Sequence, residues 1–186
     1  MNPILIAGPA VEPVAVAEMR AFLRLDDAAE DDLVSALIGA ARRCVEASAG
    51  RILISQAWRL HLDGWPADRV VNVPLSPLIA VDAVRVFDAA GVPAVVLSAL
   101  YSTEAACDPP RIILDAAIPV PGHARQGIEI DIRVGYGASA ESVPEPLRHA
   151  IRMLAARWFE SRGDDAAAAP PPDVLALIAP FRRVRL

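Results

Sequence analysis

The hydrophobic pattern of this 186-residue chain changes its period twice, and these changes constrain the fold more than any single motif. Apolar residues recur at helical spacing between residues 13 and 50, alternate with polar residues within the segment 53–136, and return to helical spacing from Pro144. No helical stretch separates the strand candidates, which excludes a parallel α/β sheet. The sequence therefore predicts an α+β fold with helical ends and an antiparallel β middle.

The N-terminal region predicts two helices that pack as an antiparallel hairpin. The first follows Pro13 and breaks at Leu25-Asp26-Asp27. Asp27 and Glu30 resemble a capping box that would start the second helix, and Gly50 would end it. A third helix is predicted over residues 144–162. The predicted buried stripes are Val16, Met19, Phe22 and Leu23 for the first helix, Leu33, Leu37, Ala41, Cys44, Val45 and Ser48 for the second, and Leu147, Ala150, Ile151, Leu154 and Trp158 for the third.

The middle of the chain predicts an antiparallel sheet. Residues 128–134 alternate between apolar and polar side chains, as expected of a strand with one buried face and one face in water. Turn signals of the Asp-Gly, Pro and Ala-Gly type separate the other candidates. These candidates lie at residues 54–62, 69–73, 79–87, 92–98 and 111–114.

The composition narrows the class of partners. No apolar run reaches the ~18 to 20 residues that span a bilayer, so we expect a soluble cytoplasmic protein with no membrane partner and with spare apolar surface for subunit contacts. The net charge is −5, and an acidic chain is unsuited to coating DNA because that binding depends on neutralising phosphates.

The apolar N-terminus lacks the basic segment of a signal peptide. Cys44 and Cys107 lie far apart and are expected to be free thiols.

Few residues have the spacing that a catalytic, metal-binding or cofactor-binding site requires. Residues 135–140, Gly-Tyr-Gly-Ala-Ser-Ala, match a relaxed dinucleotide-binding pattern, but the next helix is predicted only from Pro144, so we interpret them as a strand-to-helix loop. His61, His123 and His149 lack metal-ligand spacing. The acidic run at residues 26–32 lacks the EF-hand pattern and suits the first turn of a helix. The sequence therefore predicts no catalytic, metal-binding or cofactor-binding residue.

The last thirteen residues, 174–186, predict an extended C-terminal docking arm after an Ala/Pro linker at 164–173. Each apolar side chain could contribute about 1.5 to 3 kcal/mol if buried, while ordering each backbone residue costs about 1 to 2 kcal/mol. An isolated arm would therefore dock only marginally unless it met a preformed groove or acted together with other arms. The alternative is a tail folded back on its own body. The predicted interface comprises Val174, Leu175, Leu177, Ile178, Phe181, Arg182, Arg183 and Arg185.

Several segments, in this order and spacing, resemble the head–tail connector, or adaptor, proteins of tailed phages and of phage-derived gene transfer agents. Residues 13–60 contain a Pro-led helix, a Leu-Arg-Leu-Asp break, an acidic run, a second helix ending in Ser-Ala-Gly-Arg, and an aromatic strand. Residues 71–91 contain a Pro-x-x-Pro lead into a strand and an Asp-x-x-Gly turn. The likeness continues through residues 130–163 and ends at 177–186, and it is absent from 99–126.

The resemblance implies a helical bundle with an inserted β subdomain, in a single connector domain over residues 1–163, assembled as a ring of about twelve copies below a portal. Such a ring joins the portal to a stopper or another tail-side neck protein, and it extends the channel through which DNA passes as cargo. It would lie in the neck of a virion or gene transfer agent particle assembled in the bacterial cytoplasm, with 174–186 docked on the portal or a neighbouring subunit.

Two alternatives remain open at this point. One is another neck component, such as a tail terminator. The other is a small enzyme or ligand-binding module that uses the β region, with His61 or His123 in a pocket.

Overall fold

The computed structural model describes residues 1–161 and 170–182. The chain divides into two compact units. The β unit comprises Met1–Pro9 and Ser55–Tyr136, and the helical unit comprises Ala10–Ile54 and Gly137–Leu186. This arrangement confirms the predicted α+β class. Among the described residues, no helix combines the length and apolar character needed to cross a membrane.

The helical unit contains four helices within its described residues. Arg24 ends the first helix in the left-handed conformation, and Gly50 ends the second in the same way, as its position predicts. Asp27 does not form the predicted capping box, because its Oδ1 accepts a hydrogen bond from the Ala29 N–H in a local turn. The helices are α1 (Val16–Leu23), α2 (Asp31–Ala49), α3 (Glu145–Ser161) and α4 (Pro172–Ile178), with 3-10 turns at Ala140–Ser142 and Ala179–Phe181.

The buried faces of these helices agree only partly with the predicted stripes. Residues Leu147, Ala150, Ile151 and Leu154 of α3 are buried as predicted, and Trp158 is half-buried. In α2, Leu33 is exposed, and the buried residues are Val34, Ile38, Gly39, Ala41, Arg42, Val45 and Ala49. The prediction for α2 is confirmed at Ala41 and Val45 and wrong at Leu33, because the face that packs against α1, α3 and α4 is centred on Val34, Ile38 and Val45.

The β unit contains a five-stranded sheet in the order β1-β2-β8-β4-β5 and a three-stranded sheet in the order β3-β7-β6, and every pair of strands is antiparallel. The candidates at 54–62, 69–73, 79–87, 111–114 and 128–134 are confirmed as strands, and 92–98 forms a strand only at its start. Strands β1 and β6 were not predicted. The strands are β1 (Asn2–Ala7), β2 (Gln56–Leu62), β3 (Val70–Asn72), β4 (Leu78–Phe87), β5 (Pro93–Val95), β6 (Tyr101–Glu104), β7 (Arg111–Leu114) and β8 (Ile128–Val134).

Strand β8 lies at the centre of the larger sheet and sets its register. Ile130 lies opposite Leu60 on β2 and opposite Val84 on β4, and all three side chains are buried. The alternate residues, such as Asp131, lie on the other face of the sheet. The face predicted by the alternation along residues 128–134 is confirmed: the apolar residues form the core face of β8, and the charged residues form its other face.

Candidate interaction surfaces

Residues 170–182, which we call the C-terminal segment, are helical from Pro172 rather than extended. Proline at the first helical position is favourable because its missing N–H has no partner there in any case. Val174 and Ile178 lie four residues apart on one face of α4 and are buried in the helical unit, where α4 contacts α3 and α2. The preformed groove that such a segment requires is therefore supplied by the chain's own helices.

A backbone contact holds the other end of the C-terminal segment. Nε of Arg51, directly after the α2 cap, donates a hydrogen bond of 3.1 Å to the carbonyl oxygen of Phe181. Among the other predicted interface residues, Leu175, Leu177 and Phe181 are half-buried and Arg182 is exposed. Arg183 and Arg185 lie outside the described residues, as do residues 164–169 of the predicted linker.

The start of the C-terminal segment borders an open groove of about 410 Å³ within the helical unit. Phe22 of α1 forms one side of this groove, and its ring meets the ring of His149 edge to face at 6.3 Å. The other residues that line the groove are both apolar and charged. They are Met153, Ala156, Arg157 and Glu160 of α3, together with Pro171, Asp173 and Val174.

Arg148 and Arg152 of α3 connect this helix to α1. Arg148 donates from Nε to the carbonyl oxygen of Pro13 at 2.9 Å, and its Nη2 lies 2.9 Å from Oε2 of Glu18. Arg152 pairs with Glu18 and Glu145. Hydrogen bonding from Arg152 holds the pKa of Glu145 below its usual value. These arginines are engaged in internal pairing and are not a free basic surface.

A second ion-pair cluster lies on the buried side of α2. Nε of Arg42 lies 2.8 Å from Oε2 of Glu12, and its Nη1 lies 2.8 Å from Oε2 of Glu46. The other Glu46 oxygen accepts a 3.0 Å hydrogen bond from the Leu53 N–H. Burial raises the pKa of Glu46, and the Leu53 N–H and Arg42 oppose that shift. The cluster fixes the chain between the end of α2 and Leu53.

The charged face of the larger sheet is internally neutralised. Asp131 accepts hydrogen bonds from Arg59 at 2.6 and 3.0 Å and from Nη1 of Arg85 at 2.6 Å. The pKa of Asp131 is therefore lowered, chiefly by the hydrogen bond from Arg59. Glu129 lies 3.3 Å from Nη1 of Arg59 and 4.0 Å from Nδ1 of His61. Each charge on this face has a partner of opposite sign, so the face is not a basic track for DNA.

Both edges of the larger sheet carry exposed apolar side chains. On β1 these are Ile4, Leu5 and Ile6, and on β5 or directly next to it they are Val92, Val95 and Leu97. The β1 residues were not predicted to form a strand. The signal was present as a short apolar run bounded by Pro3 and Gly8-Pro9, which is typical of a strand.

The structure places the residues considered for chemistry in separate surroundings. His123 Nδ1 lies 2.7 Å from the carbonyl oxygen of Arg125, and His149 belongs to α3. Within residues 1–161 and 170–182, no group of three or more His, Cys, Asp or Glu side chains is arranged to hold a metal. Cys44 and Cys107 are free thiols, as predicted.

Residues 135–140 form a loop and 3-10 turn before α3, which confirms their interpretation as a strand-to-helix connection. A Cβ atom at position 137 would lie 2.3 Å from Oγ of Ser142, so Gly137 permits close packing of the loop.

The fold and these surfaces define an α+β protein whose distinguishing features are a docked C-terminal segment and a sheet with two apolar edges. No protein-family model matches the chain, and no curated protein matches it. Solved structures do match it over 100% of its length and 97% of theirs, at 34% identity. They are the neck of an empty gene transfer agent (GTA) particle computed with C6 symmetry (TM-score 0.86), the virion of a native GTA particle (0.83) and the neck of a native GTA particle computed with C12 symmetry (0.80).

The chain therefore belongs to the family of GTA neck proteins, since identity at this level extends over the full length of both chains.

Proposed function

We propose that this chain is the adaptor of the neck: a ring-forming structural protein that lies below the portal, joins it to the stopper or tail, and extends the DNA channel. The observation that carries the proposal is the full-length match to neck chains from particles computed with C6 and C12 symmetry. The order of segments that resembles the adaptor family supports the adaptor position over another neck position. A structural role of this kind needs no catalytic residue and no cofactor.

A ring with cyclic symmetry requires two different, complementary surfaces on each copy. The chain has exposed apolar side chains that a protein working alone would expose at a cost in solubility, including Ile4, Ile6 and Val95. Its net charge of −5 also suits a channel wall, because DNA passes more freely along a surface with few cations to replace its counterions.

The proposed contact with the portal or a neighbouring subunit divides the C-terminal residues into two groups. Val174 and Ile178 anchor the segment on its own helical unit. Arg182, Arg183 and Arg185 follow the anchored part and supply the outward contact, since arginine binds carboxylates through a planar fork and is enriched at interface hot spots. Leu175, Leu177 and Phe181, each half-buried, contribute the apolar part of the contact.

Binding to purified portal rings tests this proposal. Deleting residues 174–186 would uncover the core around Ile178, so reversing the charge of Arg182, Arg183 and Arg185 together is the sharper change. We expect at least a tenfold loss of affinity. Arg43→Glu, at an exposed position of α2, alters charge elsewhere and should bind like the unmodified chain. Undiminished binding of the triple variant would contradict the role of the arginines, and failure of the unmodified chain to bind portal would contradict the adaptor assignment.

A further inference from the structure

We propose that the two edges of the larger sheet contact each other between neighbouring copies of this chain, so that β1 of one copy packs against β5 and residues 96–97 of the next. This inference rests on the proposed ring and names the surfaces that build it. We call these surfaces the β1 edge (residues 2–7) and the β5 edge (residues 92–97).

The β1 edge is unusually exposed for a strand that is paired with a neighbour. Ile4 is 47% exposed although it lies opposite Arg59 of β2, and Ile6, at the register shift between Leu5 and Ala7, is 55% exposed. A strand at the side of a sheet normally buries one of its two faces. Here five of the six residues are exposed, which leaves apolar area that only another surface can cover.

The β5 edge shows the same feature at the opposite side of the sheet. Val96 is buried, and its N–H donates to the carbonyl oxygen of Val84 at 2.9 Å. The residues on either side of it face outward, with Val95 70% exposed and Leu97 72% exposed. Val96 alone is held inward, so Val92, Val95 and Leu97 give this edge an outward apolar surface.

Neither edge carries the charges that usually protect a sheet edge. Residues 2–11 and residues 92–103 contain no Asp, Glu, Lys or Arg. Natural proteins commonly place charged side chains at edges to prevent association. The devices that remain are Pro3, Pro93 and the register shift between Leu5 and Ala7, which limit main-chain hydrogen bonding at the edges. The edges are therefore suited to side-chain packing of limited extent and not to indefinite sheet growth.

Symmetry favours β1 against β5 over either edge against itself. Contact between two identical edges is isologous and closes a dimer around a twofold axis. Contact between two different edges is heterologous and generates a ring when the rotation closes. Because β1 and β5 lie at opposite sides of one sheet, each copy offers one edge to each neighbour.

Cysteine cross-linking in assembled rings tests the inference. Cys44 and Cys107 are first replaced with serine, and the Ile4→Cys/Val95→Cys variant is assembled on portal rings and treated with a short bis-maleimide, which tolerates imperfect side-chain geometry. We expect a ladder of cross-linked multimers on a denaturing gel. The matched control pairs Leu33→Cys, at an exposed position of the helical unit, with Val95→Cys and should give no ladder.

The single-cysteine variants test two other possible contacts of these edges. Efficient dimers from Ile4→Cys alone would mean that β1 contacts β1, and cross-links from either edge to portal would mean that the edges face another protein. Either result overturns the inference. Rings seen by electron microscopy without cross-links also overturn it while leaving the adaptor proposal intact, whereas the absence of rings on portal contradicts the adaptor proposal itself.

Discussion

Arg51 and Phe181 are separated by 130 residues, yet Nε of Arg51 donates a 3.1 Å hydrogen bond to the carbonyl oxygen of Phe181. Arg51 directly follows the residue that caps α2, so the bond joins the end of that helix to the end of the C-terminal segment. At the other end of the segment, Val174 and Ile178 of α4 are buried. Apolar burial at one end and a charge-assisted hydrogen bond at the other thus hold the C-terminal segment on the helical unit.

Replacing Arg51 with alanine should loosen the end of the C-terminal segment. The lost hydrogen bond has a charged donor, so we expect a decrease of about 1 to 3 kcal/mol in the free energy of local opening around residues 178–181. Hydrogen exchange followed by mass spectrometry should show faster exchange in the peptide that contains Ile178. Arg43→Ala, on the exposed side of α2, serves as the control. Equal exchange in the two variants would contradict the contact.

Truncating Ile178 to alanine should reduce the free energy of unfolding by about 2 to 5 kcal/mol, because the side chain is fully buried and its removal leaves a cavity. Leu175→Ala, at a half-buried position of the same helix, should have a clearly smaller effect. Urea unfolding monitored by tryptophan fluorescence measures both. Equal losses would mean that α4 is not held through the face that carries Val174 and Ile178.

Removing the buried guanidinium of Arg42 should be among the most destabilising changes in α2. Arg42→Ala removes the buried guanidinium that pairs with both Glu12 and Glu46, and breaking a buried pair from one side typically costs about 3 to 5 kcal/mol. Glu12→Gln removes a partner that is one-third exposed and should cost much less. Thermal unfolding of both variants provides the comparison. A smaller loss for Arg42→Ala than for Glu12→Gln would show that the cluster does not stabilise this helix.

Asp131 should make stability depend on acid pH. Its pKa is lowered in the folded state, so its contribution is present above the usual carboxyl pKa and is lost as the pH falls through the folded value. Asp131→Asn should therefore lose about 1 to 3 kcal/mol at pH 7, and the difference from the unmodified chain should shrink below about pH 4. Urea midpoints at pH 7 and pH 3 measure this change.

The control for Asp131 is Asp82→Asn, because Asp82 pairs with Arg133 at an exposed position of the same sheet. Exposed pairs contribute little, so this variant should track the unmodified chain at both pH values. A difference for Asp131→Asn that stays constant between pH 7 and pH 3 would rule out ionisation of Asp131 as the cause.

The sequence was most informative where one local pattern determines one face. The alternation of residues 128–134 predicts both β8 and its buried side, and Gly50 predicts the end of α2. The sequence was less informative where contacts with distant parts of the chain determine which face of an element is buried. The orientation of α2 depends on three helices that pack against it, so Val34 is buried while Leu33 is not. Strand β1 lacks alternation because most of its residues are exposed.

The candidate surfaces show the same division. The composition of the C-terminal segment predicts a contact element, but only the packing of the chain separates the anchoring pair Val174 and Ile178 from the exposed Arg182. Residues 2–7 and 92–97 are far apart in the sequence. Only the strand order shows that they form the two opposite edges of the larger sheet.

The adaptor assignment is tested most directly by an electron cryomicroscopy reconstruction of the particle neck in which this chain is located by its side-chain density. We predict a closed cyclic ring of this chain directly beneath the portal, with the residues after Phe181 in contact with the portal or the adjacent copy. Density for this chain at the tail terminator, or outside a ring that touches the portal, would contradict the account.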